Sequence, residues 1–113
     1  MTNQNNNYIR GEVYRVDLNP TKGAEIKKTR PCIIVGANPI NKARKTIIVV
    51  PLSSSPTPRP PLVIPVNSLG KNSVAVCDQI RAIDKIRIIE KIATLTKEEM
   101  GLLDDSLSQV LGL

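Results

Sequence analysis

The sequence predicts a mainly β protein: a small, strongly curved antiparallel barrel carrying one C-terminal helix. Three observations lead there. The first 95 residues break into short apolar or alternating runs separated by Pro, Gly and Asn turns. The last 18 residues switch to a helical period. The chain has 113 residues, which fits one domain with a modest core, and a partner subunit would add useful burial.

Residues 1–9, MTNQNNNYI, read as a polar, disordered tail, leaving 10–113 as the single domain. Gly11 to Leu18 alternates Tyr14, Val16 and Leu18 with Arg15 and Asp17, the period of a half-buried strand. Asn19-Pro20 ends it, and Gly23 loosens the loop that follows. Pro31 to Ala37 is a nearly pure apolar run and predicts a central strand, with Pro31 at its first position. Asn38-Pro39 reads as a turn and NKARK (41–45) as a basic connector. Thr46 to Ser53 predicts the third strand.

Ser54 to Pro61 holds four prolines in eight residues and cannot enter a sheet interior. A flap over a site, a plain connector and a proline-rich ligand all fit it. Leu62–Val66 reads as a fourth strand and Val74–Ile83 as a fifth with polar insertions. Asp84-Lys85 reads as a tight turn or short helix, and Ile88–Leu95 as the last strand. Thr96 and Glu99 then form a capping box. Met100, Leu103, Leu107 and Val110 make one apolar stripe on the helix that follows.

Net charge is +6. Residues 96–113 hold one lysine against Glu98, Glu99, Asp104 and Asp105, a net −3, so the rest of the chain carries +9. A basic body suits an anionic partner, though solubility alone would also account for it. Two tyrosines are the only aromatics, so base stacking on aromatic platforms has little to work with. Cys32 and Cys77 sit in apolar runs without CxxC spacing. They read as reduced core residues of a cytoplasmic protein. No signal peptide or membrane span is expected.

The chain has no histidine, no metal-ligand spacing and no phosphate-binding glycine pattern. No metal or cofactor is therefore expected, and most hydrolase chemistries are disfavoured. One reaction survives. RNA supplies its own nucleophile, the 2′-hydroxyl, so a protein need only align it and stabilise the charged phosphorane. Arg30, at the mouth of a predicted strand, is the natural phosphate fork.

Four pieces, in order, resemble the MazF/PemK-type toxin endoribonucleases of bacterial toxin–antitoxin pairs. They are GEVYRVDLNPTKGAE (11–25), Thr29-Arg30-Pro31 before its apolar strand, Val50-Pro51-Leu52-Ser53-Ser54, and CDQIRAID (77–84). The C-terminal helix ending in LGL fits as well. The resemblance covers residues 9–113. It implies an SH3-like barrel of the MazF/PemK/CcdB type, a homodimer, and metal-independent cleavage of single-stranded RNA at short motifs. It also implies an antitoxin whose acidic, partly disordered segment covers the site.

Carried over by residue, the catalytic arginine falls on Arg30, the catalytic hydroxyl on Ser53 and the acidic loop position on Glu25. An Asp-Gln pair falls on Asp78 and Gln79. Lys27, Lys28, Arg44, Arg59 and Arg81 are the expected further RNA contacts. The sequence departs from the family in three places: Ser53 replaces a usual threonine, Ile26 a glutamine, and Lys27-Lys28 a glycine-rich turn. Glu25 suits a base, a base-edge reader or a balance to the lysines. Asp78 and Gln79 suit either the RNA groove or buried backbone groups. Two rival functions fit the same pattern: an inhibitor of a protein target such as DNA gyrase, and a catalytically silent relative that binds RNA or antitoxin.

Overall fold

The computed structural model describes residues 7–70 and 72–113. Seven antiparallel strands form two sheets joined through one shared strand into a continuous curled surface, and a C-terminal helix packs on it. The strands are β1 (Glu12–Asp17), β2 (Thr29–Ile34), β3 (Thr46–Ser53), β4 (Val63–Pro65), β5 (Val74–Val76), β6 (Arg81–Asp84) and β7 (Ile88–Thr94). The helices are α1 (Asn38–Ala43) and α2 (Lys97–Leu111). The path runs β4-β5-β3-β2-β1-β7, with β6 paired to β3 off that path. Among the described residues no ladder joins β7 to β4 or β6, so the barrel stays open.

β3 is the shared strand. Thr46–Val49 pairs with Asp84–Arg81 of β6, and Leu52 and Ser53 pair with Ala75 and Val74 of β5. One strand therefore serves two sheets, and its residues from Val49 to Leu52 are buried. The single strand expected over 74–83 does not form. The chain leaves β5 through a 3-10 turn at Cys77–Gln79 and re-enters the sheet as β6. The polar insertions in the sequence mark that crossing.

β2 begins two residues before the expected Pro31 and stops at Ile34. Beyond it, the Val35 and Gly36 amides both reach the Ile48 carbonyl, at 3.0 and 3.3 Å, which ends the regular ladder. The expected turn and connector over 38–45 are instead mostly the helix α1, with Pro39 in its first turn. Six residues are too few for a helical period to show. Asn41 of α1 is 3% exposed and donates to the carbonyls of Gly36 and Tyr8. A side chain at Gly36 would meet the Asn41 amide oxygen at 2.5 Å, so this close approach requires glycine. Residues 1–6 of the expected tail lie outside the described residues. The tail's end is tied down: Tyr8 packs edge-on against Tyr14 at 5.1 Å between ring centroids, and the Ile9 amide donates to Glu12.

Two aliphatic cores lie on the two sides of the sheet. One joins Val13, Ile33, Val50 and Leu52 to Leu103 and Leu107 of α2. The other joins Val16, Cys32, Ile34, Ile47, Val49 and Ile83, covered by Tyr8, Tyr14, Ile26 and Ile88. Both cysteines are buried and unpaired, and burial raises their thiols to about 12 for Cys32 and about 11 for Cys77.

The capping box forms as the sequence predicts, and Gly112 ends α2 in the left-handed region at φ 72°. Glu99 does more than cap. Its carboxylate also accepts from the Asn67 and Ser68 amides at 2.8 and 3.0 Å and from the Ser68 hydroxyl, pinning the β4–β5 turn to the helix. Burial opposes its ionisation, but these bonds outweigh it and hold the carboxyl below its usual range. A lowered folded-state value gives stability that is present above the ordinary glutamate range and lost as pH falls through the folded value. Glu99→Gln is expected to cost about 1 kcal/mol at neutral pH, the scale of a lost cap. It should also flatten the acid limb of the stability curve; urea midpoints across a pH series would show both changes.

Candidate functional site

The loop between β1 and β2 is held open by side chains rather than by a hairpin ladder. Its base is closed by the Leu18 amide donating to Lys28 O at 3.0 Å and the Lys28 amide to Asn19 Oδ1 at 3.0 Å. Lys28 sits at φ 72°, a left-handed conformation that costs a side-chain-bearing residue roughly 1–2 kcal/mol. This is the place where the sequence carries Lys27-Lys28 instead of a glycine-rich turn. Arg87, from the 3-10 turn before β7, donates to the carbonyls of Asp17 and Asn19. Nothing in the local pattern around Arg87 singles it out, because its partners are backbone atoms about 70 residues away.

The tip is held by two further side chains. Gln79 Oε1 accepts from the Ile26 amide at 2.8 Å, and Gln79 Nε2 donates to Ala24 O at 3.5 Å. Glu25 folds back on its own turn and accepts from the Lys22 amide at 3.1 Å. Between this loop and the crossing segment lies an open cleft of about 480 Å³, lined by Ala24, Glu25, Asp78, Gln79, Ile80 and Arg81. The loop that carries Glu25 and the segment that carries Asp78 and Gln79 thus meet.

The third segment arrives through strand register. β2 pairs Cys32 with Pro51. Beyond that last pair β2 extends to Arg30 and β3 to Ser53, each two residues outward and, by alternation, on one face. Arg81 pairs with Val49 and shares that face. Its charge acts on the Cys32 thiol, in the same direction as a neighbouring cation should. Arg30 and Ser53 are outside the cleft lining, on the sheet face that Arg81 connects to it.

Arg30 is half-buried, and its Nε is buried without a hydrogen-bond partner. Among the described residues no ion pair involves Arg30 or Arg81. Their charge is left available to an anion. The Ser53 hydroxyl accepts from the Ser55 amide at 3.3 Å, a turn bond that orients it.

Lys27 and Lys28 are exposed on the loop. Arg59 lies on the proline-rich stretch, where its backbone closes on Val63 with bonds of 2.7 and 2.9 Å. Arg44 is not brought to this site: it precedes β3, at the far end from Ser53.

Residues 9–111 match the family of PemK-like, MazF-like toxins of type II toxin–antitoxin systems. The chain belongs to that family. Among solved structures it is similar to MazF from Deinococcus radiodurans, at 20% identity and TM-score 0.83, covering 93% of this chain and 96% of that one. An endoribonuclease from a mycobacterial species matches at 24% identity and TM-score 0.79, covering 96% and 94%. A mycobacterial endoribonuclease in complex with its cognate antitoxin matches at 22% identity and TM-score 0.78, covering 93% and 95%. These likenesses establish a shared fold, and the chain has the mainly β architecture with a C-terminal helix of a MazF/PemK toxin.

Within this toxin the Gln79 amide is engaged with loop backbone. Gln79→Leu removes the partners of the Ile26 amide and the Ala24 carbonyl. At about 1 kcal/mol per bond, the Ile26 amide should exchange roughly tenfold faster with solvent. Unchanged exchange would mean that Gln79 does not order the loop.

Proposed function

We propose that this MazF/PemK toxin is a metal-independent endoribonuclease that cuts single-stranded RNA by attack of the 2′-hydroxyl on the adjacent phosphate. The products are a 2′,3′-cyclic phosphate and a 5′-hydroxyl. What supports the reading is Arg30, whose buried Nε has no hydrogen-bond partner, on the same side of the β2–β3 pair as Ser53 and Arg81. Two cations and a hydroxyl on rigid strands match the needs of a phosphorane whose nucleophile the substrate provides.

The attacking oxygen loses its proton as its bond to phosphorus forms, and the 5′-oxygen gains one as its bond breaks. Guanidinium is a poor proton donor, so Arg30 acts first as a charge stabiliser. Ser53 positions the 2′-oxygen or the phosphate, and Arg81 holds a second phosphate oxygen. The cleft complements this arrangement. Its two carboxylates, Glu25 and Asp78, repel phosphate but accept from amino-bearing base edges, so they suit the reading of a base beside the scissile bond. Gln79 shapes that cleft by holding the loop. Lys27, Lys28 and Arg59 supply exposed charge for the backbone on either side.

The partners follow the same reading: single-stranded RNA as substrate, a cognate antitoxin with an acidic segment that competes for this face, and a second copy in a homodimer. The workplace is the cytoplasm.

The deciding experiment is purified protein on a long single-stranded RNA in EDTA, with product ends identified by mass spectrometry. Wild type should leave cyclic phosphate ends, and Arg30→Ala should cut about 10²–10³-fold more slowly, the scale of a lost charge-stabilising donor. Ser53→Ala should slow cleavage far more than it weakens binding. No cleavage of several unrelated RNAs would replace this reading with one of its two rivals, a catalytically silent binder of RNA or antitoxin if RNA is still bound and an inhibitor of a protein target if it is not.

A further inference from the structure

The face that carries Arg30, Ser53 and Arg81 has a second basic end. β3 and β6 run together from Val49–Arg81 to Thr46–Asp84, and the Lys85 amide continues the pairing by donating to Lys45 O at 3.0 Å. By alternation, Lys45 and Lys85 lie on the same side as Ile47, Val49 and Ile83, which are buried beneath Tyr8, Tyr14, Ile26 and Ile88, so the two lysines flank that core at the end away from Arg81. The contact with Tyr8 agrees: Lys85 Nζ stands 5.9 Å from the centre of the Tyr8 ring, and Tyr8 packs on the core beneath that face.

Lys42 of α1 lines a hollow of about 250 Å³ together with Tyr8, and Arg44 follows in the link to β3. None of Lys42, Arg44, Lys45 and Lys85 enters an ion pair among the described residues. The nearby acid, Asp84, accepts from the Ile86 amide in the turn that follows β6. From Ser53 to Lys45 the strand spans ~26 Å.

We propose that this end, Lys42, Arg44, Lys45 and Lys85 with Tyr8 beside them, is a sequence-independent extension of the RNA track. It holds the backbone of the strand at a distance from the cut, at the other end of the β3–β6 pair from Arg81. Cations that follow a backbone next to an aromatic ring are the means by which single strands are held without base readout. An acidic protein segment would be drawn by the charge alone. The position of the cations at the other end of the strand that carries Ser53, and the ring beside them, favour RNA. The proposal rests on RNA being the ligand of the Arg30 end and goes beyond it by assigning residues that lie outside the cleft.

The test is binding, kept apart from cleavage by using 2′-O-methyl RNA, which lacks the nucleophile. A strand of about 20 nucleotides and one of about 5, at the low end of single-strand site sizes, are titrated with wild type and with Lys42→Gln/Lys45→Gln/Lys85→Gln. The long strand should bind the variant at least about tenfold more weakly. Its log Kd against log salt should flatten by about 2, since each cation contributes roughly 0.7 on a single strand. The short strand should bind both proteins alike.

Because Lys85 rests against Tyr8, Lys42→Gln/Lys45→Gln serves as the milder variant, with a flattening of about 1.4. Unchanged affinity and slope for the long strand, or equal losses on both strands, would overturn the proposal. So would lysine-dependent binding to polyglutamate without any to RNA, which would assign the surface to an acidic protein. Cleavage of ordinary RNA, scored separately, distinguishes failure of this surface from failure of the nuclease reading.

Discussion

The first four residues of β3 pair with β6 and its last two with β5, so one strand belongs to two sheets. A chain that pairs with both halves must cross between them. It does so at Cys77–Gln79, in a tight turn whose first residue is buried and whose next two point polar groups outward. That crossing brings Asp78, Gln79 and Arg81 against the β1–β2 loop. The same division leaves Ser53 at the end of a largely buried strand, on the face that also carries Arg30.

The β1–β2 loop shows how such a site is kept in shape. A long loop over a surface has backbone donors and acceptors with no ladder to satisfy them. Here side chains from distant parts of the chain take that role: Gln79 at the tip, Arg87 at the base, Asn19 across the neck. Each bond is weak by itself, and together they fix the loop relative to the strands that carry Arg30 and Ser53. The loop therefore depends on β6 and β7 being in place before it has a defined form.

Charge is distributed to match. The acidic stretch of α2 lies on the helix that covers the other core, with Asp104 paired to Arg10 and Glu99 spent on amides. Among the described residues, Arg30, Arg81, Lys45 and Lys85 on the other side of the sheet enter no ion pair. Separating the two signs onto opposite sides lets one face attract an anion strongly, although the whole molecule is only moderately basic.

By itself the sequence determined the features that repeat locally. Alternation gave β1, β-branched runs gave β3, and the Thr96–Glu99 spacing with its apolar stripe gave α2, because each of these depends on residues a few positions apart. The order of its short motifs gave the family and pointed to Arg30 and Ser53. Only the tertiary structure decided the rest. It split residues 74–84 into two strands, made a helix of a six-residue stretch read as a turn, set Arg44 at the opposite end of β3 from Ser53 and brought Arg87 and Gln79 to the loop. These features depend on pairings between residues tens of positions apart. Their partners are mostly backbone groups, which carry the same chemistry at every position and leave no mark in the sequence.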